Sequence, residues 1–536
     1  MRWSEISSLS GLTLRLYTAL HSWTGLLAGF ALFVAFYAGA ITVFQDDIRA
    51  WQDPSTRNVA QETPKDGERL LERVLVAHPE IKSRVSLQLP AETGGAYVAW
   101  WYDLKKKAWS NASLATLDGP EGGTRADLTS FVNAVHYSLG ISAGGIYFMG
   151  VVSVLYGLAL VSGVIIHLPR LTKDLLSLRP GKNLKKLWQD THNLIGIVSL
   201  PFHLIFAITG AVFCLYALLL AGFNTLGFDG KLEPKVNMAL DVIGEVQPAN
   251  KAAPMLPLDV LLKKAEARAP GFEPTSLTIL NYGDANAEMA VRGDSDRSLA
   301  PYGNVGIRMA DGVITDVQAA RERDANHATM SGMYSLHFGS YGAYMVKWLY
   351  FILGLGGAFL FYSGNLLWVE SRRKARQNRQ TTSSYRMAQA TVGICIGTCI
   401  GISAAFVATQ AAHAMGALDI PHWERVAAYS TFALAVVFAF VRPPAVAAIM
   451  LLRVAGVLTM LIPVANGVAT GDHMLLTPWH GQWQVFSVDA MGLVLGAGFL
   501  WLAKLTRLRL LHGQSNSVWA MSAPPAREEQ AVTNPA

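Results

Sequence analysis

Cysteine and charge are both scarce in this chain of 536 residues. It has three cysteines, and charged residues make up 15% of the sequence, whereas hydrophobic residues make up 51%. Three cysteines within apolar runs give no disulfide framework of the kind that stabilises small exported domains. The net charge of +6 comes from loop clusters and gives no support to nucleic-acid binding. The apolar excess indicates a polytopic membrane protein.

Apolar runs of membrane-spanning length follow one another along the chain. A hydrocarbon core about 30 Å thick needs about 20 apolar residues in a helix. The first run is too long for the apolar part of a signal peptide, and the third run repeats its pattern, so we expect no cleavage. Eight runs reach the required length, at about residues 20–44, 142–168, 193–222, 343–369, 388–411, 424–441, 444–466 and 485–503.

Lysine and arginine cluster in loops that this topology places on one side of the membrane. The clusters lie at 170–186, at 372–379 behind the fourth run, and at 504–509 behind the eighth. Because such clusters stay in the cytoplasm, both termini are expected there too. The long segments 45–135 and 223–335 are then expected on the opposite side.

A pattern of histidine and glycine occurs twice within the first 370 residues. His21 and His192 each begin an apolar run and are each followed by glycine at +4 and at +18. A glycine one turn along the same helix face would let a flat macrocycle approach the backbone. His136 and His337 each precede a Ser-Gly pair whose glycine lies at +27. Because a buried imidazole needs a partner, histidines in membrane spans are functional candidates.

The two long segments between the spans are alike. Each reads as a helix followed by alternating apolar runs with Gly and Asp turns, which predicts a small α+β domain. The repeat is thus span, outer domain, span, with a pseudo-twofold axis along the membrane normal. The predicted helices are Gly67–His78 and Leu258–Ala267, and the predicted strands are Arg84–Leu89, Ala96–Tyr102, Ala112–Leu117, Ser276–Leu280, Ala287–Arg292, Val305–Met309 and Val313–Val317.

Three short motifs carry a family resemblance. They are Leu20-His21-Ser22-Trp23-Thr24-Gly25, Asp190-Thr191-His192-Asn193-Leu194-Ile195-Gly196 with Thr209-Gly210, and Leu336-His337-Phe338-Gly339 with Ser363-Gly364. Over about residues 15–375 the chain resembles the PepSY-associated transmembrane family, which includes the inner-membrane ferric-siderophore reductases of the FoxB type in Gram-negative bacteria. The resemblance implies a four-helix core that binds haem b and two periplasmic PepSY-like domains. One departure is Ala38, which stands in the first repeat where Thr209 stands in the second.

The expected fold class is an all-α polytopic membrane protein of about eight transmembrane helices. Two small α+β PepSY-like periplasmic domains are inserted in its duplicated helix–domain–helix repeat. The expected units are transmembrane helix 1 (15–44), periplasmic domain 1 (45–135), transmembrane helices 2 and 3 (136–222), periplasmic domain 2 (223–335), transmembrane helix 4 (336–375), an additional four-helix membrane unit (385–510) and a cytoplasmic tail (511–536).

Depth and repeat symmetry pair the four repeated histidines. His21 and His192 both begin spans that run outward, whereas His136 and His337 both precede spans that run inward. Neutral imidazole suits iron, and two histidines fill both axial positions of a haem. We therefore expect two haem b groups, one bound by His21 and His192 near the cytoplasmic face and one by His136 and His337 near the periplasmic face. Weaker candidates for haem contacts are His203 and His167.

These expectations combine into a multi-pass oxidoreductase of the bacterial inner membrane that reduces a periplasmic ferric siderophore and releases its iron. No flavin or nicotinamide fingerprint occurs, so the donor is expected to be quinol or a separate cytoplasmic reductase. Two alternatives stay open: a non-enzymatic PepSY membrane protein that binds a peptide or regulates a protease, and a transporter. Aromatic residues that could flank a substrate are Trp100, Trp101, Tyr102, Tyr334 and Phe338.

Overall fold

A computed structural model describes most of the chain. The described residues are 11–54, 57, 61–105, 107–118, 126–168, 183–232, 246–295, 298–319, 322–374, 380–514 and 516–520. Much of the basic clusters at 170–186 and 372–379, and most of the tail at 511–536, lie outside these residues.

The described residues form seventeen α-helices and seven β-strands. The helices are α1 (Gly11–Thr42), α2 (Gln45–Gln52), α3 (Pro64–Ala77), α4 (Pro90–Thr93), α5 (Leu114–Asp118), α6 (Leu128–Ser138), α7 (Gly145–His167), α8 (Leu184–Val198), α9 (Leu200–Gly227), α10 (Leu258–Arg268), α11 (Ala325–Phe338), α12 (Ala343–Ser371), α13 (Thr382–Thr391), α14 (Gly397–Ala414), α15 (Ile420–Val441), α16 (Pro444–Thr470) and α17 (Trp483–His512). The strands are β1 (Arg84–Gln88), β2 (Val98–Asp103), β3 (Ala108–Ala112), β4 (Glu273–Leu280), β5 (Glu288–Asp294), β6 (Gly303–Arg308) and β7 (Ile314–Gln318).

Eight helices of the described residues are long and apolar enough to cross a membrane, as the sequence predicts. They are α1, α7, α9, α12, the continuous helix of α13 and α14, α15, α16 and α17. The join between α13 and α14 is a short π-helical turn at Val392–Ile396. The protein is therefore a mostly helical multi-pass membrane protein.

The third predicted span is not one continuous helix. It is divided at Ser199 into α8 and α9, and Pro201 lies in the first turn of α9. Proline has no N–H to donate, so it is accommodated in a first turn but not inside a helix. As a result, His192 lies on the short helix α8 and not on the longer span that follows it.

The first four spans form a bundle whose two halves are related by the sequence repeat. Helix α1 packs against α7 and α12, α9 packs against α7, and α8 packs against α12. The α1 helix corresponds to α8 and α9 together, and α7 corresponds to α12. Aromatic side chains fill the centre of this bundle, namely Phe33, Phe36, Tyr37, Tyr156, Phe202 and Tyr350.

The two segments between the spans build one sheet, and the expectation of two separate domains is wrong on this point. All seven strands form a single antiparallel sheet in the order β3-β2-β1-β4-β5-β6-β7. Strand β1 of the first segment pairs with β4 of the second, from Arg84 opposite Leu280 to Gln88 opposite Ser276. The pairing satisfies backbone groups that each segment alone would leave along a strand edge. We call this shared unit the sheet domain.

The third predicted strand of the first segment also differs. The sequence predicts Ala112–Leu117, whereas the strand is Ala108–Ala112 and residues Leu114–Asp118 form helix α5. The Ser113 hydroxyl accepts a hydrogen bond from Thr116 N at 3.3 Å. Such a contact is typical of an N-cap, so Ser113 ends the strand and begins the helix.

The C-terminal unit of α13 to α17 is joined to the bundle through α2 and the residues after it. Trp51 Nε1 donates to Asp489 Oδ1 at 2.8 Å, and Gln410 Nε2 donates to Trp51 O at 2.9 Å, both in buried surroundings. Arg57 Nη1 contacts Asp472 Oδ2 at 3.0 Å. The sequence gives this unit no role, but the structure shows that it binds, through hydrogen bonds and an ion pair, the segment where α1 leads into the sheet domain.

Candidate functional site

The structure brings the four repeated histidines together in two pairs. The ring centroids of His21 and His192 are 6.1 Å apart, with the ring planes at 78°. Those of His136 and His337 are also 6.1 Å apart, at 49°. A metal ion bound between two imidazole nitrogens, about 2 Å from each, would separate the centroids by about 6 Å. We call His21 and His192 the distal pair, and His136 and His337 the sheet-side pair.

The two pairs lie at opposite ends of the bundle. His21 is in the first half of α1, and the carbonyl of Ala35, further along the same helix, contacts His136. These two positions are about 21 Å apart at 1.5 Å per helical residue. The sheet-side pair is therefore close to the segments that lead into the sheet domain, and the distal pair is at the far end.

Three of the four rings donate Nδ1–H to a backbone carbonyl of a neighbouring helix. Because a carbonyl can only accept, Nδ1 carries the ring proton and Nε2 keeps its lone pair. Histidines that bind metals are usually oriented in this way by a hydrogen bond from their other nitrogen. The contacts run from His21 to Ala159 O (2.8 Å), from His136 to Ala35 O (2.8 Å) and from His192 to Leu360 O (3.1 Å).

A glycine one turn after each of these carbonyls explains how the ring reaches it. A helical side chain covers the turn that precedes it, so a side chain four residues later would cover the carbonyl. Gly163 follows Ala159, Gly364 follows Leu360 and Gly39 follows Ala35 in this register. A Cβ atom would lie 3.1 Å from His21 Cε1 at Gly163, 3.2 Å from His192 Cε1 at Gly364, and 2.7 Å from His136 Nδ1 at Gly39.

A glycine that shares a repeated spacing with one histidine can instead contact a histidine of the other pair. The glycine at +27 from His136 is Gly163, which contacts the distal pair. The glycine at +18 from His21 is Gly39, which contacts the sheet-side pair. Two glycines are expected to admit a macrocycle. Gly25 has no described atom within 4 Å of the position of a Cβ, so space is open one turn from His21, whereas a Cβ at Gly196 would lie 3.6 Å from Leu360 Cδ1.

The fourth ring has a different acceptor. Thr209 Oγ1 donates its only hydrogen to Ile205 O at 2.7 Å, so it accepts from His337 Nδ1 at 2.7 Å. His337 therefore has the same tautomer as the other three rings. The counterpart of Thr209 is Ala38, and His136 uses a backbone carbonyl instead. The substitution seen in the sequence is a real difference between the two halves of the sheet-side pair.

Both sheet-side histidines are held in the neutral form. Burial lowers the pKa of His136, and it lowers the pKa of His337 to about 3. Neutral imidazole is the form that binds a metal, because protonation occupies the lone pair. Across the described ranges, no residue forms a hydrogen bond with Nε2 of either ring. Each pair therefore offers two imidazole lone pairs and no other polar partner for them.

His203 is not brought to either pair. Tyr156 OH donates to its Nδ1 at 2.5 Å, and its Nε2 donates to Ser199 Oγ at 2.9 Å, because the Ser199 hydrogen is directed to Ile195 O. Both ring nitrogens are thus used, and the ring is fully buried between the pairs. His167 is the last residue of α7, one turn after Gly163 and so near the distal pair.

The described part of the chain contains no group of three or more His, Cys, Asp or Glu residues placed to bind a metal ion. A haem leaves only its two axial positions to the protein. The two neutral imidazoles of each pair, with Nε2 available on both rings, are the ligands that such a group would use.

An apolar cleft that the sequence does not reveal lies between the bundle and the C-terminal unit. Its volume is about 80 Å³, and it contains none of the four paired histidines. The cleft combines residues far apart in the chain, so no local pattern could identify it. Its aromatic residues are Tyr37, Phe44, Trp348, Phe351 and Phe406.

The fold and the paired histidines define an integral membrane protein built as a duplicated helix–domain–helix bundle. The PepSY-associated TM region family matches residues 18–371, so the chain belongs to that family. The uncharacterized protein PA4219 of Pseudomonas aeruginosa is 28% identical over 256 residues, which are 46% of this chain and 64% of that protein. The chain thus covers less than two thirds of the length of this relative.

Proposed function

We propose that this protein is an inner-membrane haem-b oxidoreductase that reduces a ferric siderophore and so releases its iron. The observation that supports this proposal is the pair geometry. Four histidines from both repeats meet two by two, with Nδ1 committed and Nε2 left over. In this proposal His21 with His192, and His136 with His337, bind two haems.

A haem with both axial positions filled by histidine favours electron transfer over oxygen chemistry. The chain's own residues orient the ligands through the carbonyl contacts and exclude water between the pairs. Edge-on and tilted rings fill that space, including Phe36 with Phe361 at 5.2 Å and Phe206 with His337 at 5.0 Å. His203 and its two hydroxyl partners satisfy one another within this dry region, which avoids an unpaired buried imidazole.

We further propose that the sheet domain lies in the periplasm and that both termini are cytoplasmic. Lysines and arginines near the ends of the spans that face away from the sheet domain support this orientation, as in Lys185, Lys186, Arg372, Arg373 and Lys504. The donor is then a quinol or a separate cytoplasmic reductase.

The acceptor of the proposed reaction is an iron(III) chelate at the sheet-side end. One electron converts iron(III) to iron(II), and no covalent bond of the protein forms or breaks. Hard oxygen donors of a chelator hold iron(III) more tightly than iron(II), so reduction loosens the complex. The sheet-side pair is the pair from which such a chelate would be reached.

Reduction across a sealed membrane tests this function. Proteoliposomes would hold a reductant inside and a ferric siderophore outside, with a ferrous-specific dye to record the product. We expect ferrous iron outside with the wild type and none with His192→Ala or His337→Ala. The matched control is His422→Ala, an exposed histidine that belongs to neither pair, which should keep the wild-type rate. A haem-loaded wild type that forms no ferrous iron would contradict the proposal.

A further inference from the structure

Three aromatic rings lie close together, with near-parallel planes, at the sheet-side end of the bundle. Tyr334 and Phe338 are one turn apart on α11, and Phe213 comes from α9. The Phe213 and Tyr334 rings are 4.8 Å apart at 26°, the Tyr334 and Phe338 rings 6.0 Å at 15°, and the Phe213 and Phe338 rings 6.5 Å at 12°. Tyr334 and Phe338 are 43% and 50% exposed. We call these three residues the aromatic platform.

The platform is in direct contact with the sheet-side pair. The rings of Phe213 and Phe338 each lie 5.1 Å from the His337 ring, edge to face. A flat molecule stacked on the platform would therefore be one aromatic ring away from His337. Among the described residues of α9 and α11, the platform is thus a half-exposed aromatic surface that adjoins the sheet-side pair.

The equivalent surface of the first repeat is covered by the C-terminal unit. Phe131 on α6 contacts the Tyr429 ring of α15 at 5.7 Å, and Tyr429 OH donates to Gly140 O at 3.0 Å. The counterpart of Phe131 in the second repeat is Gly332, which has no described atom within 4 Å of the position of a Cβ. The pseudo-twofold thus produces two similar faces, and α15 packs on one of them.

The aromatic residues follow the open face. The counterparts of Tyr334 and Phe338 in the first repeat are Asn133 and Tyr137, so the covered face has only one of the two rings. Only the second repeat therefore groups three near-parallel rings beside its histidine. Such a group of rings is a surface on which a flat ligand can stack.

A cation is held beside the platform. Arg323 Nη1 donates to Tyr302 O at 3.0 Å and to Ser331 Oγ at 3.3 Å, and it also contacts Ala300 O. Tyr302 contacts the Tyr334 ring edge-on at 6.5 Å, and Ser331 is on the same helix as the platform. Because Nη1 is engaged and Nη2 is buried, the guanidinium acts on a docked ligand through its charge, which favours a ligand that is both aromatic and anionic.

We propose that the aromatic platform is the docking site for the substrate, and that the preferred substrates are anionic iron(III) chelates with phenolate or catecholate rings. Helix α15 packs on Phe131 and Gly140 at the pseudo-equivalent face, whereas the platform is open, so the chelate approaches His337 and not His136. Reduction of the docked chelate rests on the proposed function, which supplies the electron. Binding of the chelate needs no electron and does not depend on that function.

The experiment uses a gallium(III) catecholate chelate, because gallium(III) resembles iron(III) in charge and size but is not reduced. Its binding to the full-length protein in nanodiscs would be measured by calorimetry. Removal of one stacking ring should weaken binding about 2- to 10-fold. We therefore expect Tyr334→Ala with Phe338→Ala to raise the dissociation constant about 5- to 100-fold. Tyr137→Ala, which removes the exposed ring at the position of the first repeat that corresponds to Phe338, should change it less than twofold.

Two further arms keep the test decisive. Phe338→Tyr retains a ring and should bind like the wild type, whereas Phe338→Leu retains bulk without a ring and should bind more weakly. A gallium(III) hydroxamate without rings should bind weakly and be insensitive to all of these changes. Unchanged catecholate binding in the double variant, or equal losses with both chelates, would overturn the proposal, and so would a wild type that binds neither.

The outcomes also separate this inference from the proposed function. Gallium chelate binding that depends on the platform, without reduction of the iron(III) analogue, would support the docking site and contradict the reductase. Reduction of iron(III) catecholates with an unchanged KM in the double variant would contradict the docking site and support the reductase. If the platform were only a membrane anchor, the double variant would lose expression or thermal stability with an unchanged dissociation constant.

Discussion

The hydroxyl of Thr209 gives the sharpest test of how the sheet-side pair is oriented. Thr209→Val keeps the side-chain volume and removes the acceptor for His337 Nδ1–H. A buried donor left without a partner costs about 1–3 kcal/mol, and loss of such an orienting contact weakens metal affinity about 10- to 100-fold. We therefore expect the sheet-side site to lose haem first when haem is limiting.

The same change should shift the reduction potential of that site. A hydrogen bond from Nδ1 makes the imidazole a stronger donor, which stabilises the ferric state. If about 1 kcal/mol of this preference is lost, the potential rises by about 40 mV for a one-electron couple. Thr209→Ser, which keeps the hydroxyl, should retain the wild-type potential.

Optical redox titration and haem titration of the purified variants measure both effects. The distal site, whose Nδ1 contacts are to backbone carbonyls, serves as an internal standard within each sample. Thr209→Val with wild-type affinity and potential would refute the reasoning, because the hydroxyl would then not orient His337. A shift confined to the distal site would refute it equally.

Three further predictions follow from other contacts. Gly163→Ala should displace the His21 ring, since the new Cβ would lie 3.1 Å from its Cε1, and should lower haem content at the distal site about tenfold or more, while Gly157→Ala, with no described atom within 4 Å, should not. Truncation after residue 379 should leave both haems in place but lower the melting temperature, because the buried contacts of α2 with the C-terminal unit are lost; loss of one haem would contradict this. Asp47→Asn should stabilise the protein at pH 7, because burial raises the pKa of Asp47 and so disfavours its ionised form. The ionised carboxylate carries this cost only above about pH 4, so the two melting curves should converge in acid, and a gap that persists there would argue against the cause.

The long apolar runs and the repeated histidines could be predicted because each depends on local sequence. A run such as 343–369 has the length and composition of a span wherever its neighbours lie, and α12 is observed at Ala343–Ser371. The pairing of His21 with His192 could be predicted because the two histidines occupy equivalent positions in the two repeats, at the same expected depth. Their role as haem ligands stays a prediction.

The remaining features depend on contacts between distant segments. No pattern within residues 45–135 shows that β1 pairs with β4, since both strands alternate as any half-buried strand does. The +27 spacing was visible, but only the folded bundle shows that Gly163 contacts His21 and not His136. The hydrogen bond between Trp51 and Asp489 joins residues more than 400 positions apart, so no local pattern in the sequence indicates it.

The count of haem per chain tests the central claim most directly. Purified wild-type protein and its His21→Ala and His136→Ala variants would be assayed by pyridine haemochrome, with circular dichroism to verify that each variant is folded. The pair geometry predicts two haem b groups in the wild type and one in each variant, because each substitution removes a ligand from a different pair. A folded wild type without haem, or variants that both keep two, would contradict the account.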